Sequence, residues 1–232
     1  DKLVLLSRYY GRDTAWLIAG GGNSSMKDEA TLWVKASGTS LATAGPDTFV
    51  AMDRSKMAAI MERSYPQEVA ERERLALQDL MDARRPGESS RPSVETGMHD
   101  LFPQRFVLHT HPTLVNALTC AVDGETTARE LFGDQVVWIE SINPGYVLSK
   151  RIKAEIAGFR KRQGKPPRIV LLQNHGLTVA SASVEEIHGL HREIAEAVLA
   201  RVNREPDMAA ADADLQRAAS VAGELRSAYR SV

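Results

Sequence analysis

At 232 residues, with 43% hydrophobic and 25% charged side chains, the chain is long enough to bury a substantial core as one large domain or two small ones. A formal net charge of -1 argues against a general nucleic-acid or membrane-surface binder, which would need a basic face. No apolar run approaches the ~20 residues of a membrane span, the N-terminus lacks a signal-peptide pattern, and the single Cys120 excludes an internal disulfide framework, so cytoplasm is the expected compartment. The apolar setting Leu118-Thr119-Cys120-Ala121-Val122 predicts a buried, inert thiol. A first residue of Asp rather than Met leaves open a processed or excised piece of something longer.

In chain order, Leu3, Leu6 and Tyr10 at helical intervals, with Gly11 as a stop, predict a first helix. Trp16-Leu17-Ile18-Ala19 reads as a short strand running into Gly20-Gly21-Gly22-Asn23-Ser24-Ser25. Such a glycine run lets the backbone approach a ligand and turn N–H groups toward an anion, although a plain hairpin loop fits it as well. Thr31 to Lys35 is a second strand, ending in Ala36-Ser37-Gly38-Thr39 with Lys35 beside the turn; neither loop has the spacing of a Walker A or dinucleotide motif. Asp53 or Ser55 can cap a helix carrying Met57, Ile60 and Met61, and Pro66 can begin another with Val69, Leu77, Leu80 and Met81. A breaker-rich loop from Arg84 to Pro92 leads into Ser93-Val94-Glu95-Thr96-Gly97-Met98-His99.

The next stretch, Phe106-Val107-Leu108-His109-Thr110-His111-Pro112, organises the rest. Its first three residues suit a strand, and strand side chains alternate, so His109 and His111 point the same way. Two such histidines are half of a metal site, or simply two solvated imidazoles. Thr113 to Cys120 reads as a short helix, Gln135 to Ile139 as a strand, and Tyr146 to Gln163 as a helix stopped by Gly164 and Pro166. A further apolar strand, Arg168 to Gln173, delivers Asn174-His175-Gly176. Three imidazoles from two strand ends are the ligand count of an open catalytic zinc site. Val184 to Asn203 is a helix with Ile187, Leu190, Ile194 and Val198 inward, and its His188/His191 pair fits a core edge better than a ligand pair. Leu215, Ala218, Ala222, Leu225 and Tyr229 predict a last helix. With no repeat and no long linker, one α/β domain over residues 1–232 is the economical reading.

Five pieces, Gly22-Asn23-Ser24-Ser25, Lys35-Ala36-Ser37-Gly38, Pro92-Ser93-Val94-Glu95, His109-Thr110-His111-Pro112 and Asn174-His175-Gly176, resemble the class II aldolase/adducin family in that family's order. The wording around Leu32-Trp33-Val34-Lys35 is most similar to the aldolase half of fused rhamnulose-1-phosphate aldolase/alcohol dehydrogenases. The resemblance implies a three-layer α/β/α sandwich around a mainly antiparallel sheet, assembled as a homotetramer. It implies a divalent metal, commonly zinc, on His109, His111 and His175, and an acid/base carboxylate at Glu95. Gly22, Asn23, Ser37, Gly38 and Ser93 fall where relatives bind the sugar phosphate. Val94 departs from the pattern, because many relatives carry a second hydroxyl residue there.

The function so implied is a metal-dependent aldolase cleaving a phosphorylated ketose of the rhamnulose- or fuculose-1-phosphate kind. An open-site metal acts as a Lewis acid on the substrate oxygens, and a carboxylate moves the proton. A pentulose-phosphate 4-epimerase or a sugar-phosphate dehydratase would use the same parts. A non-catalytic adducin-like interaction module would need neither the histidines nor Glu95. Without the histidines, Glu95 would read as a helix-start carboxylate favoured by the macrodipole.

Overall fold

The computed structural model describes residues 1–202, 217 and 219–224. The chain divides into two compact units, Asp1–Arg201 and Val202–Val232. In the second, Arg217 and residues 219–224 are helical and exposed. Of the positions predicted for the last helix only Ala222 is among them; Leu215, Ala218, Leu225 and Tyr229 lie outside the described residues.

The first unit is built on one seven-stranded sheet. Its strands are β1 (Asn23–Lys27), β2 (Thr31–Lys35), β3 (Phe49–Asp53), β4 (Phe106–Thr110), β5 (Val137–Ile139), β6 (Ile169–Leu172) and β7 (Gly176–Ser181). They lie in the order β3-β2-β1-β4-β7-β6-β5, and every pairing is antiparallel except β5 with β6. Eight α-helices cover the two faces: α1 (Lys2–Gly11), α2 (Arg54–Glu62), α3 (Val69–Asp82), α4 (Thr96–Leu101), α5 (Thr113–Thr119), α6 (Gly124–Phe132), α7 (Tyr146–Gln163) and α8 (Val184–Leu199).

Alternation along the strands decides which helix meets which face. Phe106, Leu108, Leu177 and Val179 pack with Leu6 and Tyr10 of α1, Val115 and Leu118 of α5, and Ile187, Leu190 and Ile194 of α8. Val107, Val170, Leu172 and Ala180 point the other way, onto Met98 of α4 and Leu148, Ile152, Ile156 and Phe159 of α7. Farther along that second face, Leu32, Val34, Val50 and Met52 pack with Met57 and Ile60 of α2 and Leu80 of α3. Each such fully buried aliphatic side chain contributes about 1.5–3 kcal/mol. The mainly antiparallel three-layer α/β/α sandwich is the expected one.

Several expectations need correction. Trp16 to Ala19 is not a strand. Its backbone turns locally, with the Trp16 and Leu17 N–H groups on the Asp13 carbonyl at 3.0 and 3.1 Å. Trp16 then accepts from the His111 N–H at 3.1 Å, which ties this turn to the end of β4. The third helix begins at Val69 rather than Pro66, because the Glu68 carboxylate accepts from the Ala70 and Glu71 N–H groups at 2.9 and 2.6 Å. The helix predicted from Val184 to Asn203 ends at Leu199. Cys120 is exposed, not buried, since it follows the last turn of α5 and the apolar side chains before it take the inward positions. Strands β1, β3 and β7 and helix α6 were not foreseen.

Candidate active site

β4 and the residues just beyond it carry the first two imidazoles. His109 and Val107 share a face, so His109 enters the layer between the sheet and α4, fully buried. Its Nδ1 donates to the Leu177 carbonyl at 3.1 Å, and a carbonyl only accepts. The proton is therefore on Nδ1, and the Nε2 lone pair faces outward along the sheet end. His111, two residues on, brings its Nε2 to 2.9 Å from that atom.

The third imidazole arrives through the tight turn between β6 and β7. Asn174 sits there in the left-handed region (φ 58°), which asparagine tolerates better than most residues. Gly176 follows at a place where a Cβ would collide with the Thr110 carbonyl and stand 2.8 Å from His111 Cδ2. Only glycine lets the turn lie this close, and it sets His175 Nε2 3.2 Å from His109 Nε2. One nitrogen from each of His109, His111 and His175 lies within 4.8 Å of the others. The 2.9 and 3.2 Å spacings suit nitrogens each about 2.0–2.1 Å from a shared zinc ion. Burial, followed by the neighbouring imidazoles, holds the His109 pKa far below the ordinary histidine range; burial also lowers that of His111. Both rings are then neutral at physiological pH, the form that binds metal.

Glu95 completes the group from the opposite layer. It is the residue before α4, yet its side chain makes no capping bond. Oε2 accepts from Asn23 Nδ2 at 2.7 Å, while Oε1 stands 3.4 Å from His175 Nε2 and 3.7 Å from His109 Nε2. Oε1 is buried and has no hydrogen-bond partner. A buried, unsatisfied acceptor costs about 1–3 kcal/mol, and more for a charged group. Three imidazoles and a carboxylate oxygen converging as acceptors are a donor set that fits a divalent cation.

The glycine and serine turns border this cluster. Gly22 has φ 65°, and a Cβ there would lie 2.6 Å from the His109 carbonyl, so the first turn presses against the end of β4. Asn23 is buried, and its side chain is committed to Glu95 and His99. Ser37 and Gly38 form an exposed turn, with the Ser37 N–H on the Arg91 carbonyl at 2.8 Å. The bridge between Ala36 and Pro92 brings that turn beside Ser93, whose hydroxyl accepts from the Glu95 N–H at 3.2 Å. Lys35 donates to the Gly20 carbonyl at 3.2 Å; burial lowers its pKa and the Glu95 carboxylate opposes that.

Sequence reasoning missed His99, Ser25 and Lys27. His99 Nε2 meets Asn23 Oδ1 and its Nδ1 meets Ser25 Oγ at 2.7 Å, while Lys27 Nζ reaches the carbonyls of His99 and Phe102. The available signal was three polar residues at alternate positions of one short strand. His188 and His191 lie apart from the cluster, as expected: His188 Nδ1 meets the Tyr10 hydroxyl at 3.1 Å, and buried His191 donates to the Ile187 carbonyl at 3.0 Å.

The chain belongs to the class II aldolase family: the family model described as Class II Aldolase and Adducin N-terminal domain matches residues 1–201. Among individual proteins, it is 30% identical over 186 residues to the uncharacterized oxidoreductase YuxG of Bacillus subtilis (strain 168). That match takes in 76% of this chain and only 26% of YuxG, so the chain spans about a quarter of that relative's length. Among solved structures, the N-terminal class II aldolase domain of a conserved protein from Thermoplasma acidophilum superposes with a TM-score of 0.72 at 26% identity, covering 87% of this chain and 92% of that one. L-fuculose-1-phosphate aldolase from Thermus thermophilus shares the fold, with a TM-score of 0.52 at 16% identity over 85% of this chain and 92% of that one. No helix among the described residues is long and apolar enough to cross a membrane.

Proposed function

We propose that this chain is a metal-dependent class II aldolase that cleaves a phosphorylated ketose of the rhamnulose- or fuculose-1-phosphate kind by a retro-aldol reaction. The observation that carries this reading is the buried, unpartnered Glu95 Oε1 facing three converging imidazole nitrogens. Family membership supports it.

His109, His111 and His175 hold a divalent ion, zinc by preference, which supplies Lewis-acid polarisation of the substrate carbonyl. The bond from His109 Nδ1 to Leu177 keeps the ring from turning its lone pair away. As the C–C bond breaks, the departing aldehyde carbon's hydroxyl gives up its proton and Glu95 Oε1 hands one to the carbon left electron-rich; condensation runs both transfers in reverse. Throughout, Oε2 stays on Asn23. The turns at Gly22-Asn23 and Ser37-Gly38, with Ser93, hold the phosphate end through backbone N–H groups and hydroxyls. The protein acts as a homotetramer, the assembly its family resemblance implies; a stable monomer by light scattering at micromolar concentration would overturn that.

The deciding experiment offers ketose 1-phosphates to chelator-stripped and zinc-reloaded protein and measures dihydroxyacetone phosphate. Release by the reloaded protein alone is the expected result. An epimerase would return an intact pentulose phosphate and a dehydratase would release water, so either product, or no turnover of any ketose phosphate, defeats the aldolase reading.

A further inference from the structure

The face of β1 turned toward α4 carries Asn23, Ser25 and Lys27, which are 3%, 0% and 4% exposed. A strand face under a helix is ordinarily apolar, and polar groups are buried there only with partners. Here the partners all lie at α4. Asn23 meets Glu95 before the helix and His99 within it, Ser25 meets His99, and Lys27 holds the carbonyls of His99 and Phe102 near its end.

We propose that His99 is a positioning residue for Glu95, acting through the Asn23 amide to keep Oε2 bonded and Oε1 free toward the three imidazoles. This rests on the reading of Glu95 as the acid/base. The hydrogen bonds fix each orientation in turn. Asn23 Oδ1 accepts only, so His99 Nε2 carries the proton and donates to it. In the neutral ring Nδ1 is then the acceptor for the Ser25 hydroxyl at 2.7 Å. Burial favours that neutral ring, pulling its pKa down to about 3. With Oδ1 committed to His99, Nδ2 faces Glu95 Oε2 at 2.7 Å. A flipped amide would set Oδ1 against the carboxylate, a repulsive contact, and would give up the His99 N–H as donor to Oδ1. His99 thereby satisfies Oδ1 and holds the amide in the orientation that anchors a single carboxylate oxygen and leaves the other for chemistry.

A double-mutant cycle tests the assignment, using L-rhamnulose 1-phosphate or L-fuculose 1-phosphate, whichever the zinc-loaded parent cleaves. His99→Phe lowers kcat by roughly 10- to 100-fold, the usual cost of losing an outer partner, with KM and zinc content nearly unchanged. In a Glu95→Gln background the same substitution costs nothing further, because the residue through which it acts is already disabled. Losses that multiply, or a His99→Phe protein that turns over at the parent rate, would overturn the proposal. Crystal structures provide a readout independent of turnover: in His99→Phe the Asn23 amide flips or the Glu95 carboxylate leaves it, whereas an unmoved Asn23–Glu95 pair sinks the idea. If His99→Phe does not fold, His99→Leu takes its place in the cycle and the crystallography, judged by the same kinetic outcomes and by whether the Asn23 amide or Glu95 moves. If the parent cleaves no ketose phosphate, the aldolase reading fails and the crystallographic comparison alone decides the positioning role.

Discussion

Glu95 Oε1 lies 3.4 Å from His175 Nε2, although one residue precedes a helix on a sheet face and the other sits in a turn between two strands. Glu95 does stand at a helix start, where a carboxylate is favoured by the macrodipole. Its side chain nonetheless makes no capping bond and turns to Asn23 and the imidazoles instead. That orientation sets the proposed chemical role against a helix-capping one.

Glu95→Gln tests the distinction. The variant keeps size and the Asn23 contact, so it is expected to fold and to retain metal. Turnover of a confirmed substrate should fall roughly 100- to 10,000-fold. A carboxylate serving only the helix start would show a stability loss under about 1 kcal/mol and parent-like turnover. Melting temperature, metal content and kcat of this one variant decide between the two.

His175→Ala tests the three-imidazole site. The parent is expected to carry one divalent ion per chain, measured by elemental analysis of protein purified without chelator. Removing a direct ligand should weaken binding by more than the roughly 10- to 100-fold typical of an outer partner. Full occupancy in the variant would remove His175 from the ligand set.

An anion should settle at the turns. Crystals soaked in phosphate or sulfate are expected to show it against Gly22-Asn23, Ser37-Gly38 and Ser93. Hydrogen bonds to charged groups contribute about 1.5–3 kcal/mol, so Ser93→Ala should raise KM for the sugar phosphate roughly 10- to 100-fold. An anion bound only elsewhere, with KM unchanged, would argue against this subsite.

Acid sensitivity should appear away from the three-imidazole cluster. Burial pulls the His191 pKa down to about 4, from an ordinary value of 6.5. The unfolded chain therefore takes up a proton at higher pH than the folded one. Stability is full above about 6.5 and falls as pH drops toward 4, by roughly 1.4 kcal/mol per pH unit for this one residue. Chemical denaturation at several pH values is expected to show a shallower slope in His191→Gln. Identical slopes would mean that His191 is not held neutral by burial.

Much of the site was legible in the sequence because its signals are local. His109 and His111 share a face through strand alternation alone. Helix α7 matches its predicted span from Tyr146 to Gln163, since its apolar spacing and the glycine after it are both read within one segment. β1, β3 and β7 were harder. β7 is buried along its whole length, so no alternation marks it, and it begins immediately after the His175 turn. Trp16 to Ala19 has a strand-like composition, but the Asp13 carbonyl turns its backbone back and β4 is already paired on both sides.

The sequence by itself determined the residue types and the local geometry: three imidazoles at strand ends, a carboxylate at a helix start, and glycines where the backbone must turn or approach closely. Tertiary structure alone decided that these meet, because His175 reaches His109 only through the tight turn into β7, the strand that pairs with β4. It also decided what Glu95 faces. Whether a carboxylate caps its own helix or points at a metal site depends on which strand face lies opposite. Here that face is Asn23, Ser25 and Lys27 of β1, brought over α4 by pairing between β1 and β4 that no local pattern encodes.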